Sequence, residues 1–300
     1  MNIAIVGDPH IATGYRARVD DYLSTVLDKM KVIAQNNDYV VFLGDVFSIS
    51  SAPTFVFNKT YRVLKEFSGK LHTILGNHDT FHRNINALNK TTIGSLDLTQ
   101  VIKVHTKPFT LEGIEFVPVM TDDDFLSIPR DDTNSKILLC HKYYEMMVCP
   151  EESLESSELV DLNYKYVFMG HDHQPYNPID LGNTVLYRPG SLTRTTVDMY
   201  NKDRDVIYYR LDTETMNVTP VKVDIKPSSE VFLKGSFDKP AETKRRIKTD
   251  GASLAKLLAR FDKQQLSNLS LEGVLRRLNA TEQQIAYLRE LHRENNISYN

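Results

Sequence analysis

The chain has 300 residues, 41% of them hydrophobic, which allows a sizeable buried core and room for one large domain with an appendage. A formal net charge of -3 argues against nucleic-acid binding by bulk electrostatics, without excluding a metal-assisted contact with phosphate. The two cysteines, Cys140 and Cys149, are too few for a disulfide framework, and no apolar stretch approaches the ~20 residues of a membrane span, so a cytoplasmic protein with no membrane partner is expected.

The first predicted element is a strand, Ile3 to Val6, that runs into Asp8-Pro9-His10. Val19, Tyr22, Leu23, Val26, Leu27, Met30, Ile33 and Ala34 then recur at helical spacing, predicting an amphipathic helix that ends near Asn36-Asn37. A second strand, Tyr39 to Leu43, leads to Gly44-Asp45. Beyond the loop Ser48 to Pro53, a helix starting near Thr54 turns Phe57, Tyr61, Leu64 and Phe67 inward and ends by Gly69. The strand Leu71 to Leu75 delivers Gly76-Asn77-His78-Asp79. These are βα units, so the first three strands are expected to be parallel.

From Val101 the pattern changes to short strands, Val101 to Val104, Phe109 to Leu111 and Ile114 to Val119, with a turn at Glu112-Gly113. Antiparallel pairing is expected from here on. The acidic run Asp122-Asp123-Asp124 reads as a solvated loop rather than a metal cluster. Ile137 to Cys140 leads into His141, and Tyr166 to Met169 into Gly170-His171-Asp172-His173. Cys140 reads as a small buried hydrophobe. A turn at Gly182-Asn183 enters the strand Val185 to Tyr187, which Pro189-Gly190-Ser191 ends, and Val206 to Leu211 and Val218 to Ile225 form a last β pair. Lys226-Pro227-Ser228-Ser229 is the expected linker, separating a domain of residues 1–225 from a C-terminal region, 226–300. That region opens with a strand, Val231 to Leu233. Helical stripes follow, first Leu254, Leu257, Leu258 and Phe261, then Leu271, Val274, Leu275 and Leu278, and finally Ile285, Leu288 and Leu291 behind the capping box Thr281 to Gln284.

Five times, then, an apolar run ends in Asp, Asn or His, and α/β sheets bind ligands in the crevice outside strand carboxyl ends. A mixture of Asp, Asn and His suits Mn²⁺, Fe or Zn²⁺ better than Ca²⁺ or Mg²⁺. Two such ions ~3.5 to 4 Å apart activate water and stabilise charge on both the attacking and leaving oxygens of a phosphate ester. His78 lies between Asn77 and Asp79, one able to bind metal and the other to orient the ring, which leaves the imidazole for acid work. Any one Asp-X-His or His-X-His is more often structural. Together the motifs use five of the 9 histidines; His72, His82, His105 and His292 have no comparable setting.

The ordered set Asp8-X-His10, Gly44-Asp45, Gly76-Asn77-His78-Asp79, His141 and Gly170-His171-X-His173 resembles the calcineurin-like metallophosphoesterase superfamily. The resemblance implies an α/β (α+β) fold, a two-sheet β-sandwich flanked by helices with a small C-terminal cap. It implies two divalent ions, Mn²⁺ first with Fe or Zn as alternatives. Asp8, His10 and His173 would hold one ion, Asn77, His141 and His171 the other, and Asp45 would bridge them. His78 would be the general acid, oriented by Asp79. Gly44-Asp45-Val46-Phe47 with the following Pro53 loop, and Arg188-Pro189-Gly190-Ser191, look like the SbcD type, the nuclease subunits of DNA double-strand-break repair complexes, also found in bacteriophage recombination machinery. This implies a Mn²⁺-dependent exonuclease or endonuclease in which Arg194 and Lys142 meet phosphates. Its expected partners are DNA, an SbcC-like coiled-coil ATPase and a second copy in a homodimer; the C-terminal helices either dock that ATPase or pack back onto their own domain. The chain departs from the pattern at Ser48, where this branch often carries histidine or aspartate, and its C-terminal part is short. The run Lys244-Arg245-Arg246-Ile247-Lys248 reads as solvated charge. A stand-alone phosphatase or small-molecule phosphodiesterase on the same scaffold is the alternative; a non-catalytic scaffold is disfavoured because all seven ligands are present.

Overall fold

The computed structural model describes residues 1–82, 84–120, 136–145, 153–160, 164–197, 201–202 and 204–237. The chain forms two compact units, Met1–Tyr144 with Leu154–Thr243, and Glu145–Ser153 with Lys244–Asn300; the described residues belong almost wholly to the first. Asp122 to Asp124, Cys149, the Lys244 to Lys248 run and the helical stripes from Leu254 onward lie outside the described residues.

Two six-stranded sheets make up the first unit. In one, β1 (Asn2–Val6), β2 (Tyr39–Phe42), β3 (Leu71–Thr73) and β4 (Lys103–Val104) pair in parallel. The other contains β5 (Phe109–Leu111), β6 (Ile114–Val119) and β7 (Lys136–His141). After the two-residue strands β8 (Tyr143–Tyr144) and β9 (Ser153–Leu154), it continues with β10 (Tyr166–Gly170), β11 (Tyr176–Asp180) and β12 (Val185–Arg188). Strands β13 (Val206–Asp212) and β14 (Val218–Val223) return to extend the first sheet antiparallel beside β1.

The expected switch to antiparallel pairing after Val101 is corrected here. Strands β6, β7, β10 and β12 are parallel neighbours, and only the edges β5 and β11 run antiparallel within that sheet. The physical reason is connection length. The hairpin at Glu112-Gly113, both residues at positive φ, joins β5 to β6, whereas residues 120–135 and 142–165 are long enough to cross over between parallel strands.

Alternation along the strands builds three cores. Ile3, Ile5, Val41 and Leu43 point between the sheets, against Phe116, Ile137, Leu139 and Phe168. Their neighbours Ala4, Val6, Val40 and Phe42 face the other way, toward the helices α1 (Tyr22–Gln35), α2 (Thr54–Leu64) and α3 (Thr92–Leu98). Strands buried on both faces read as unbroken apolar runs, which is why the motifs stand out behind them. Helix α1 starts where Asp21 accepts from the Ser24 N–H at 3.0 Å, and buries the predicted stripe except Val19, which precedes the helix and is 54% exposed. A third core, with Leu138, Cys140, Val167 and Met169, covers the far face of the second sheet beside Leu154 and Leu159, the latter in α4 (Ser156–Val160).

The strand predicted at Val231 to Leu233 is cut to an isolated antiparallel bridge: α5 (Ser228–Val231) ends there, Phe232 is extended and pairs with Arg18, the Val19 N–H donates to the Val231 carbonyl at 2.9 Å and the Leu233 N–H to the Ala17 carbonyl at 3.0 Å. Lys226 to Ser229, expected as a linker, lies within the first unit. Helix α3 and strand β11 had no prediction; α3 depends on Thr91, whose hydroxyl caps the Gly94 N–H at 3.0 Å, in a stretch too short for a periodic signal. No helix among the described residues is long and apolar enough to cross a membrane. Phe168 is 0% exposed and stacks on Tyr187 with centroids 5.0 Å apart, so Phe168→Ala is expected to cost about 3–5 kcal/mol of stability, read as a lower urea midpoint at unchanged slope.

Candidate metal centre

The five motifs leave the carboxyl ends of five parallel strands, β1, β2 and β3 in one sheet and β7 and β10 in the other. Three of the residues that turn there are held in left-handed backbone: His10 at φ 50, Asp45 at φ 47 and His171 at φ 80. Such conformations cost a non-glycine residue of order 1–3 kcal/mol and persist only where neighbours impose them. Here the loops lock one another. The His10 N–H donates to the Asp45 carbonyl at 3.0 Å, the Ile11 N–H to Val46 at 2.8 Å, and the His171 N–H to both oxygens of Asp8 at 3.2 and 3.1 Å. Packing is so close that a Cβ at Gly76 would lie 2.1 Å from Asp45 Oδ1, which explains a glycine before Asn77.

Asp45 is the centre of the cluster. Its Oδ1 accepts from the His78 N–H at 2.8 Å, while Oδ2 lies 3.3 Å from His141 Nε2 and 3.7 Å from His10 Nε2. His141 Nε2 is also 3.2 Å from Asn77 Oδ1 and 3.2 Å from His171 Nδ1, and His10 Nε2 is 2.8 Å from His173 Nε2. Asp8 Oδ1 reaches His141 Nδ1 at 3.4 Å. All seven residues expected as ligands are therefore in one connected group. The Leu43 carbonyl, which can only accept, lies 2.6 Å from His141 Nδ1, so Nδ1 carries a proton and Nε2 is left facing the cluster. Asp45 Oδ2 is a buried carboxylate oxygen that accepts no hydrogen bond of good geometry, with His141 Nε2 3.3 Å away. Asp45, His141 and His171 each offer a ligand atom within 4.8 Å of the others. Imidazole nitrogens and carboxylate oxygens converging on one buried carboxylate oxygen fit a divalent transition metal.

Electrostatics agree with this arrangement. Burial raises the Asp8 carboxyl to about 7, with His141 opposing and Asp45 adding to the shift. Burial would raise Asp45 too, but the imidazoles of His141, His10 and His78 hold it below the usual carboxylate range. Against burial, the Asp45 and Asp8 carboxylates hold the His141 imidazole protonated up to about 10. Burial drives His10 down to about 3, leaving its ring neutral.

His78 and Asp79 part company. His78 has a side chain 45% exposed, its Nδ1 lies 2.8 Å from the Ser48 carbonyl, and its Nε2 is 4.0 Å from Asp45 Oδ2. Asp79 is buried and accepts from the N–H groups of Val46 at 3.2 Å, Phe47 at 3.2 Å and Gly76 at 3.1 Å. The expectation that Asp79 orients His78 is thus corrected: three backbone donors claim its carboxylate, and it ties the loop after β2 to the loop after β3.

Arg194 also differs from expectation. Its guanidinium is buried and donates to the Lys202 carbonyl at 3.1 Å, to Ser228 Oγ at 2.7 Å and to the Lys226 carbonyl, so it anchors the approach to α5 instead of offering itself to phosphate. Lys142 is buried directly after His141. The sequence pattern missed a clasp beside Arg194. The Ser191 N–H donates to the His173 carbonyl at 3.0 Å and the Leu192 N–H to the Asp8 carbonyl at 3.2 Å. Each carbonyl of this clasp meets a basic side chain: Arg204 on Ser191 and Thr193, Lys29 on Leu192, and Arg18 on Arg194. Arg18, Lys29 and Arg204 are scattered in sequence, so nothing in their spacing announces the shared role.

A cation entering this cluster must displace the proton on His141 and, below pH about 7, one on Asp8. Protons compete more as pH falls, so Mn²⁺ affinity is expected to be at least about tenfold weaker at pH 6 than at pH 8. Calorimetry in two buffers of different ionisation enthalpy should show proton release on binding.

The model of the calcineurin-like phosphoesterase family matches residues 1–175. Solved structures similar to this chain include TT1561 of Thermus thermophilus, at 14% identity over 74% of this chain and 98% of that one, with a TM-score of 0.48. Others are a novel archaeal phosphodiesterase, at 16% over 74% and 100% with a TM-score of 0.40, and Vps29 of Chaetomium thermophilum, at 15% over 74% and 97% with a TM-score of 0.37. No curated protein matches the sequence. The family match spans every one of the loops that meet at Asp45, and on that ground the chain belongs to the calcineurin-like phosphoesterase family.

Proposed function

We propose that this chain is a Mn²⁺-dependent deoxyribonuclease, the nuclease subunit of an SbcCD-like repair or recombination complex, hydrolysing phosphodiester bonds with two metal ions. Family membership supports the coarser part, phosphoester hydrolysis at divalent metals. The observation that carries the finer reading is His78, an imidazole set beside the ligand group, exposed to solvent, with Nε2 4.0 Å from Asp45 Oδ2. A diester whose leaving group is a sugar alkoxide needs a proton delivered to that oxygen, and a separate imidazole meets the need.

Asp8, His10 and His173 would hold one ion, Asn77, His141 and His171 the other, with Asp45 shared. The ions would supply Lewis-acid stabilisation of charge on the phosphate. His78 Nε2 would give its proton to the departing oxygen, and Asp79 and the 191–194 clasp would keep the ligand loops in register. DNA as the substrate is supported by the SbcD-like Gly44 to Phe47 loop, which carries Asp45, and by Arg188 to Ser191, which leads into the clasp between Asp8 and His173. With a net charge of -3, substantial DNA affinity would come from the complex with an SbcC-like ATPase, docked through the C-terminal region.

The test is a Mn²⁺ nuclease assay on end-labelled duplex and hairpin DNA, with the chain co-expressed beside any large coiled-coil ATPase encoded next to it. Cleavage is expected, and His78→Ala should lower turnover by roughly 10² to 10⁴ with bound Mn²⁺ unchanged. Turnover of a chromogenic phosphodiester with DNA left intact would favour the stand-alone phosphodiesterase instead.

A further inference from the structure

We infer that Tyr15 and Ser48 are positioning residues for His78, through a hydrogen-bond relay that fixes which nitrogen of the imidazole meets the leaving group. The inference rests on the reading of His78 as the acid.

The relay can be assigned donor by donor. Ser48 Oγ lies 3.0 Å from the carbonyl of His10, and a carbonyl can only accept, so the serine hydrogen is spent there. Tyr15 Oη is 2.7 Å from the same Ser48 Oγ and must therefore be the donor to it. The Ser48 N–H is taken as well, by the Ile11 carbonyl at 3.1 Å. With its amide and its hydroxyl both anchored on the segment after β1, Ser48 has one polar group left, its carbonyl, and that lies 2.8 Å from His78 Nδ1. Nδ1 therefore keeps a proton, and the one the acid form gives up is the second, on Nε2, the nitrogen turned toward Asp45 Oδ2.

Tyr15 is itself braced. Its ring packs edge-on against Tyr22, centroids 4.8 Å apart, and the Tyr22 hydroxyl reaches the same His10 carbonyl at 3.0 Å and Thr193 Oγ1 at 2.7 Å. The His10 carbonyl thus receives two donors while the His10 ring stands edge-on to the His78 ring, centroids 5.3 Å apart. Loops from β1, β2 and β3 are joined through one serine. Asp79, the neighbour that sequence suggested for this task, is engaged elsewhere. Tyr15 and Ser48 belong to neither the ligand set nor the reacting atoms, so their effect must pass through His78.

Two esters separate this role from simple support of the metal site. Bis(p-nitrophenyl) phosphate expels a phenolate that needs little proton assistance, whereas an oligonucleotide diester expels an alkoxide that needs it. Tyr15→Phe keeps the ring and removes only the donor. It is expected to lower kcat on the oligonucleotide about tenfold more than on the chromogenic ester, with the loss in kcat and not in KM, and with bound Mn²⁺ unchanged. Ser48→Ala should behave likewise, and Ser48→Thr, which restores a hydroxyl, should keep the ratio of the unmodified protein. Equal losses on both esters, or a fall in bound Mn²⁺, would overturn the inference. His78→Ala run in parallel tells two failures apart. If it discriminates between the esters and Tyr15→Phe does not, the relay alone is wrong; if His78→Ala shows no discrimination, the acid assignment falls and the relay with it.

Discussion

One oxygen sets the terms for this structure. Asp45 Oδ2 is buried, carries charge and accepts no hydrogen bond of good geometry, a combination that costs several kcal/mol unless a positive charge answers it. Around it stand His141, His10 and His78, each within 4.0 Å. No single loop could hold such a carboxylate. The ends of β1, β2 and β3 bring Asp8, His10, Asp45 and Asn77 from one sheet, and β7 and β10 bring His141 and His171 from the other, so the inter-sheet core of Ile5, Leu43, Leu139 and Phe168 is what keeps the halves of the site together.

The support behind the ligands is made mainly of backbone. Leu43 O fixes the tautomer of His141, Asp79 gathers three N–H groups, and the Ser191 and Leu192 amides hold the carbonyls of His173 and Asp8. Basic side chains from α1, its approach and the segment before β13 then cap the clasp carbonyls in turn. Backbone groups cannot rotate away as side chains do, and they carry the strain at His10, Asp45 and His171.

That choice also decides what was legible in the sequence. The seven residues that meet around Asp45 could be read because each follows an unbroken apolar run, and such runs mark strands buried on both faces. The first βα units and the stripe of α1 followed from the same periodicity. Pairing in the second sheet could not be read, because short strands look alike whether a hairpin or a crossover joins them. Asp79 and Arg194 depart from expectation for a common reason: adjacency to a motif suggests a role at the site, whereas the fold gives Asp79 to main-chain N–H groups and Arg194 to two main-chain carbonyls and Ser228 Oγ. Tyr15 has no signal at all. It lies in a polar loop, and its worth depends on Ser48, which is distant in sequence and unremarkable in type.

The same centre bears on how a substrate could be held. Asp8 and Asp45 are the carboxylates in the ligand set, so two divalent ions among them would leave about two positive charges in excess, in a chain whose formal charge is -3. That field would be felt strongly by a phosphate entering beside His78, on the exposed side of the cluster. It would fade within a Debye length of roughly 8 Å at physiological salt, which is little more than one nucleotide of backbone. A short-range field of this kind can select and orient one phosphate group without gripping a polymer. Any hold on a longer strand must then come from surfaces outside the cluster, and the chemistry at Asp45 and His78 can remain the same whatever supplies it.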